Sequence, residues 1–119
     1  MTLAEYIMKH METPFEWGKH DCVLFTAGWI NIKSGKDMLD GVPKWNSAKG
    51  ALRLLKNLGG VRSVVDSRLK RIPVNSACDG DIALFGKALC IYSGQHVVGA
   101  GPEGLEFIDR GEATCAWRY

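Results

Sequence analysis

Apolar positions divide this chain into two parts with different periods. Up to about residue 69 they recur at intervals of three and four, and after Ile72 they fall into short runs separated by turn residues. In the first part, Thr2 followed by Glu5 is a capping-box pattern, and Leu3, Ile7 and Met11 share one helical stripe, which predicts a short helix over 2–11. Residues 12–20 hold Pro14 and Gly18 among aromatics and read as a loop that buries Phe15 and Trp17. Asp21 is placed to cap a helix that opens at Cys22, is apolar nearly all round, and stops at Ser34 and Gly35. This is the expected buried central helix. Residues 36–45, with Gly41 and Pro43, predict a loop. Asn46 or Ser47 then caps a helix carrying Ala48, Ala51, Leu52, Leu55 and Leu58 at helical spacing; Gly59 and Gly60 end it, and a further short helix falls within 61–69.

In the second part, the runs 82–85, 88–92, 96–100, 105–109 and 114–119 are short and apolar or rich in strand formers. Gly86 and Lys87, Ser93 and Gly94, Gly101 and Pro102 with Gly104, and Gly111 separate them, the turn chemistry of an antiparallel meander. The expected fold class is α+β: one domain over 1–119, N-terminal helices packed on one face of a C-terminal antiparallel sheet.

Composition agrees with a folded globular chain. Of 119 residues, 46% are apolar and 24% charged, and a chain of this length buries one core. Fifteen basic and thirteen acidic residues leave a formal charge of +2. The one dense basic stretch, Arg68, Lys70 and Arg71, is too short for a nucleic-acid footprint, so no nucleic-acid partner is expected. No apolar run approaches the roughly 18 residues that span a bilayer, and the first residues lack a signal-peptide pattern. The expectation is synthesis in the cytoplasm without membrane insertion. Cys22, Cys78, Cys90 and Cys115 are scattered without a CxxC pair, so neither a disulfide framework nor a zinc ribbon is indicated, and no metal or cofactor is expected.

Candidate chemistry concentrates at Cys22. A cysteine in the first turn of a helix meets unpaired backbone N–H groups and the positive end of the helix dipole, both of which stabilise a thiolate. Such a thiol still needs a group to take its proton and deliver it to the leaving amine, a task suited to histidine. Of the three histidines, His10 suits the end of the first helix. His20 reads as a capping or surface residue two positions before Cys22. His96, beside the hairpin after Ser93 and Gly94, is the one candidate base. Asp81 after Gly80 reads as a turn residue bonding its own backbone. Trp29 and Trp117 read as core.

Order adds to these single signals. Trp17 and Gly18 precede Asp21 and Cys22 at a helix start; then come helices, then Gly80, Asp81 and the apolar run 82–85, then Ala88, Leu89, Cys90, Ile91 and Tyr92. This order resembles the NlpC family of cell-wall cysteine peptidases, which have a papain-like fold. It is closer still to a family of short tailed-phage and prophage tail proteins. That second resemblance extends through Ser34 to Asp37, Gly59 and Gly60, Ala100 to Leu105, and the closing Ala116, Trp117 and Arg118. Set on the peptidase pattern, Cys22 takes the nucleophile position, whereas the general-base histidine falls on Ala88 and the third polar residue at or near Ala100. The resemblance therefore implies a phage tail-tip or tail-assembly protein with a degenerate peptidase fold, located in the virion tail with other tail proteins as partners. The alternative it implies is an active cysteine peptidase cutting the stem peptides of peptidoglycan during phage entry, with Cys22 as nucleophile and His96 as base. For the first reading, the exposed aromatics would be the docking surface, sought among Phe15 to Trp17, Trp45 and Trp117 to Tyr119.

Overall fold

The computed structural model describes residues 1–119. Four helices come first: α1 (Leu3–His10), α2 (Cys22–Ser34), α3 (Ala48–Asn57) and α4 (Val61–Asp66). Six strands follow: β1 (Lys70–Ile72), β2 (Ile82–Phe85), β3 (Ala88–Ser93), β4 (His96–Gly101), β5 (Gly104–Asp109) and β6 (Cys115–Arg118). They form one antiparallel sheet in the order β1-β6-β2-β3-β4-β5. The α+β architecture with a C-terminal antiparallel sheet is as expected. The strand β1 was not legible, because three residues, two of them basic, carry no alternation; pairing with β6 decides it. Two short 3-10 turns, Val74–Ser76 and Arg110–Glu112, also escape the pattern.

The helix starts are chemically determined. Thr2 and Glu5 close the capping box on α1, Asp21 caps α2, and Ser47 rather than Asn46 caps α3. Gly35, in the left-handed region at φ 72°, ends α2. On α1 the buried residues are Tyr6 and Ile7, and Met11 is exposed, so the helix turns a slightly different stripe inward than the one read from Leu3, Ile7 and Met11.

Strand alternation sorts the sheet into two faces. Ile82, Leu84, Leu89, Ile91, Val98, Ala100, Cys115 and Trp117 point toward Phe25, Trp29 and Ile30 of α2, and together with Tyr6 and Ile7 form the main core. Ala83, Cys90, Tyr92, Val97 and Ala116 point the other way and are buried with Ala77. Trp29 and Trp117 are core residues, as expected. Trp117 is therefore not part of any docking surface, and Trp17, 36% exposed, is not buried by its loop.

Asp81 does more than shape a turn. Its carboxylate accepts from the Cys78 backbone N–H at 2.8 Å and from Arg118 Nε and Nη2 at 3.1 and 2.7 Å. Its side chain is 7% exposed and that of Arg118 46%, so the pair is buried on the acid side only. Arg118→Ala should strand this carboxylate and cost about 2–3 kcal/mol, less than a fully buried pair because water reaches the arginine. Urea unfolding of the variant beside the wild type measures it.

Candidate functional site

The segment ahead of Cys22 is built around Asp21, which is fully buried. Oδ1 accepts from the Leu24 backbone N–H at 2.9 Å, the N-cap bond of α2. Oδ2 accepts from the Gly18 N–H at 2.9 Å and from Trp45 Nε1 at 2.8 Å. Gly18 has φ +81°, and a Cβ there would lie 2.0 Å from the Trp45 carbonyl oxygen, so both conformation and contact require glycine. The sequence Trp17, Gly18, Asp21, Cys22 thus fixes one corner, with the Cys22 thiol at the first turn of α2 and half-buried.

The sheet face toward α2 decides what Cys22 meets. On β3, Phe85 pairs with Ala88, and Phe85 packs on the far side of the sheet; Ala88 shares that side by alternation. Leu89 is the residue that faces α2, and its backbone amide adjoins the Cys22 sulfur. The pairing of Ile91 with Val98, continued two residues, sets Ala100 beside Leu89 on the same face. Of these β3 residues it is therefore Leu89, and not Ala88, that faces Cys22, with Ala100 next to it.

His96 is not brought to Cys22. It starts β4, pairs with Ser93 and Asp109, and stands edge-on to Phe107 with ring centroids 6.2 Å apart. Four residues separate it from Ala100, about 13 Å along a strand. His20 is nearer in sequence but is buried, its ring stacked on that of His10 at 5.5 Å and edge-on to Phe25. It is neither a cap nor a surface residue. His10 Nδ1 donates to the Tyr6 carbonyl at 2.8 Å, which requires the proton on Nδ1. The buried stack was not readable from sequence, since nothing in the spacing of His10 and His20 says that the loop folds back onto α1.

Residues 1–119 match the family described as Domain of unknown function (DUF6950). The chain belongs to that family. No curated protein matches this DUF6950 member. Its remaining polar surroundings carry no cluster of three or more histidine, cysteine or carboxylate side chains disposed to hold a metal ion.

Burial pushes the Cys22 thiol of the DUF6950 chain above its ordinary value, with the Asp21 charge adding to the rise; the amides of Leu89, Cys22 and Val23 oppose both without overcoming them. Cys90, on the opposite face of the sheet, is pushed up to about 12, chiefly by burial. Alkylation by iodoacetamide should therefore modify exposed Cys78 first, and the rate at Cys22 should rise only above pH 9.0, its reference value. Mass spectrometry of each cysteine against pH reads this directly.

His20 titrates in the opposite sense to a paired histidine. Burial lowers its pKa, the positive charge of His10 lowers it further, and Asp21 opposes both. A lowered folded-state value means that the unfolded chain binds the proton more readily. Stability is then complete above the reference 6.5 and falls as pH drops below it toward the folded value. His20→Phe should flatten the loss of urea midpoint between about pH 7.5 and 5.5.

Proposed function

We propose that this chain is a structural component of a phage tail, at the tail tip or in tail assembly, with an NlpC-like papain fold that no longer supports cysteine peptidase chemistry. The observation that carries the reading is the pairing of Cys22 with Leu89. A cysteine opens a buried helix against an antiparallel sheet, after an Asp21 that locks the loop before it, and a Gly80–Asp81 corner leads into the next strand. These are the parts that the resemblance implies, in its order. By sequence Ala88 stands where the peptidase pattern has its histidine, the side chain that faces Cys22 from the sheet is Leu89 with Ala100 beside it, and burial raises the pKa of the thiol.

Chemistry follows from that exchange. Leucine takes no proton from a thiol and gives none to a departing amine, and the loss of a general base removes factors of about 10² to 10⁴ in rate. A thiol whose pKa is raised also attacks less often as thiolate. His96 supplies no substitute at its distance along β4, so amide cleavage by the family's route lacks both its nucleophile's activation and its acid.

A domain that does not cut contributes by surface. Trp17 stands edge-on to Phe15 at 4.9 Å on the loop beside α2, and is exposed where Trp117 is not. This loop is the docking patch of the reading, and stable interfaces bury on the order of 800 Å² per partner.

In the phage that encodes the chain, Cys22→Ser should leave infectivity at the wild-type level, whereas Trp17→Glu, shown to fold as a purified protein, should abolish tail assembly. Electron microscopy of particles and plaque counts read both. Normal tails that fail to deliver DNA in the Cys22→Ser phage would establish the peptidase instead. Normal assembly with Trp17→Glu would remove the docking patch.

A further inference from the structure

The two edges of the sheet are built differently. β1 is three residues long and runs directly into Pro73, which has no N–H to offer, so that edge is blunted against a further strand. β5, at the other edge, keeps an unbroken register with β4 over six residues, from the His96–Asp109 pair to the Gly101–Gly104 pair, with neither bulge nor proline.

One bond fixes which main-chain groups of β5 are free. The Arg110 N–H donates to the Gln95 carbonyl at 2.9 Å, and bonds along an antiparallel ladder recur at every second residue. Gly104, Glu106 and Ile108 therefore bond to β4, and Leu105, Phe107 and Asp109 turn their N–H and C=O groups outward. No strand lies beyond β5, and no turn, loop or cap supplies a backbone partner to those three residues.

Side chains on this edge are equally unmatched. Phe107, on the helix face of the sheet through its pairing with Val98, is 47% exposed, and Leu105 on the same face is half-buried. On the opposite face stands Glu106, its carboxylate against Gly101. Glu103, Glu106, Asp109 and Glu112 are all exposed, and the ion pairs Glu16–Lys19, Asp66–Arg71 and Asp81–Arg118 include none of them. Arg110, the one cation of the stretch, is turned to the Gly94 and Ala77 carbonyls. Two copies joined through β5 would set these carboxylates against their own duplicates, which like-charge repulsion opposes.

We propose that β5 receives a strand from a different protein, an extended segment that alternates basic and apolar residues. Its main chain pairs with the outward groups of Leu105, Phe107 and Asp109, its apolar side chains cover Leu105 and Phe107, and its basic side chains meet Glu106 on the other face. The surface shares no residue with the Phe15–Trp17 loop, so it stands or falls apart from the tail reading.

The probe is a fluorescent, end-capped heptapeptide of alternating lysine and valine, titrated into the purified chain in low-salt buffer and read by anisotropy. Its charge control alternates glutamate and valine. Hydrogen exchange followed by NMR locates the contact. The lysine peptide should bind saturably and slow exchange at the Leu105, Phe107 and Asp109 amides, and the glutamate peptide should not bind. Glu106→Lys should weaken binding about fivefold or more, since attraction is lost and repulsion gained. Phe107→Pro removes one outward N–H and the aromatic cover while sparing the ladder to β4, and should abolish binding. If that variant does not fold, Glu106→Lys carries the test. Absence of saturable binding, equal affinity for the glutamate peptide, protection at other amides, or indifference to Glu106→Lys overturns the proposal. So does protection of the same three amides in the free chain that grows with protein concentration, which would make the occupant a second copy.

Discussion

A buried carboxylate organises the corner at which the central helix begins. Asp21 is removed from water completely, and an ionised group in that position persists only when donors replace its hydration. Three do so, each from a different segment: Leu24 from the first turn of α2, Gly18 from the loop before it, and the Trp45 indole from the loop after it. The bond to Leu24 starts the helix, and the helix dipole favours the negative charge there. The other two bonds bring residues that are far apart in the chain onto one corner. Gly18 is obligatory because its neighbour is the backbone of Trp45, not a side chain that could turn aside.

A second carboxylate does comparable work farther along α2. Asp81 ties the Cys78 turn to Arg118 of the last strand, and the adjacent Gly80 carbonyl accepts from Trp29 Nε1 at 3.1 Å, while that indole also donates to Tyr119 Oη at 2.9 Å. The central helix is thus pinned at its start by Asp21 and along its length by Trp29. Between those points apolar contact with the sheet suffices. Two side chains of the basic stretch are partnered within the chain at the surface: Arg68 reaches the Asp40 carbonyl and Arg71 forms a two-bond pair with Asp66.

Cys22 is held in place under two opposed influences. The position of Cys22 favours a thiolate through helix-end amides, and its surroundings favour the thiol through burial. Burial prevails, since Leu89 closes the site from the sheet and no cation stands opposite the sulfur to offset the desolvation. A scaffold that holds a cysteine in place need not hold it reactive.

Much of the framework was legible in single residues. Thr2 with Glu5, Asp21, Ser47 and Gly35 mark helix ends because capping is local chemistry, and the glycine turns after Phe85 and Ser93 mark hairpins for the same reason. Cys22 as first residue of the central helix followed from Asp21 alone. What could not be read locally were the relations across the sheet. Whether Ala88 or Leu89 faces Cys22 depends on strand phase, and a shift of one residue exchanges the two faces. The burial of His20 depends on a loop folding back onto α1, the exposure of Trp17 on where that loop ends, and the strand at Lys70 to Ile72 on its partner β6. Sequence by itself determined where the capped helices begin and where the glycine turns set hairpins, because those choices are settled within a few residues by hydrogen bonds to the nearest backbone. Tertiary structure alone decided which side chain faces Cys22, because that is set by pairing between strands distant in sequence from the helix they cover.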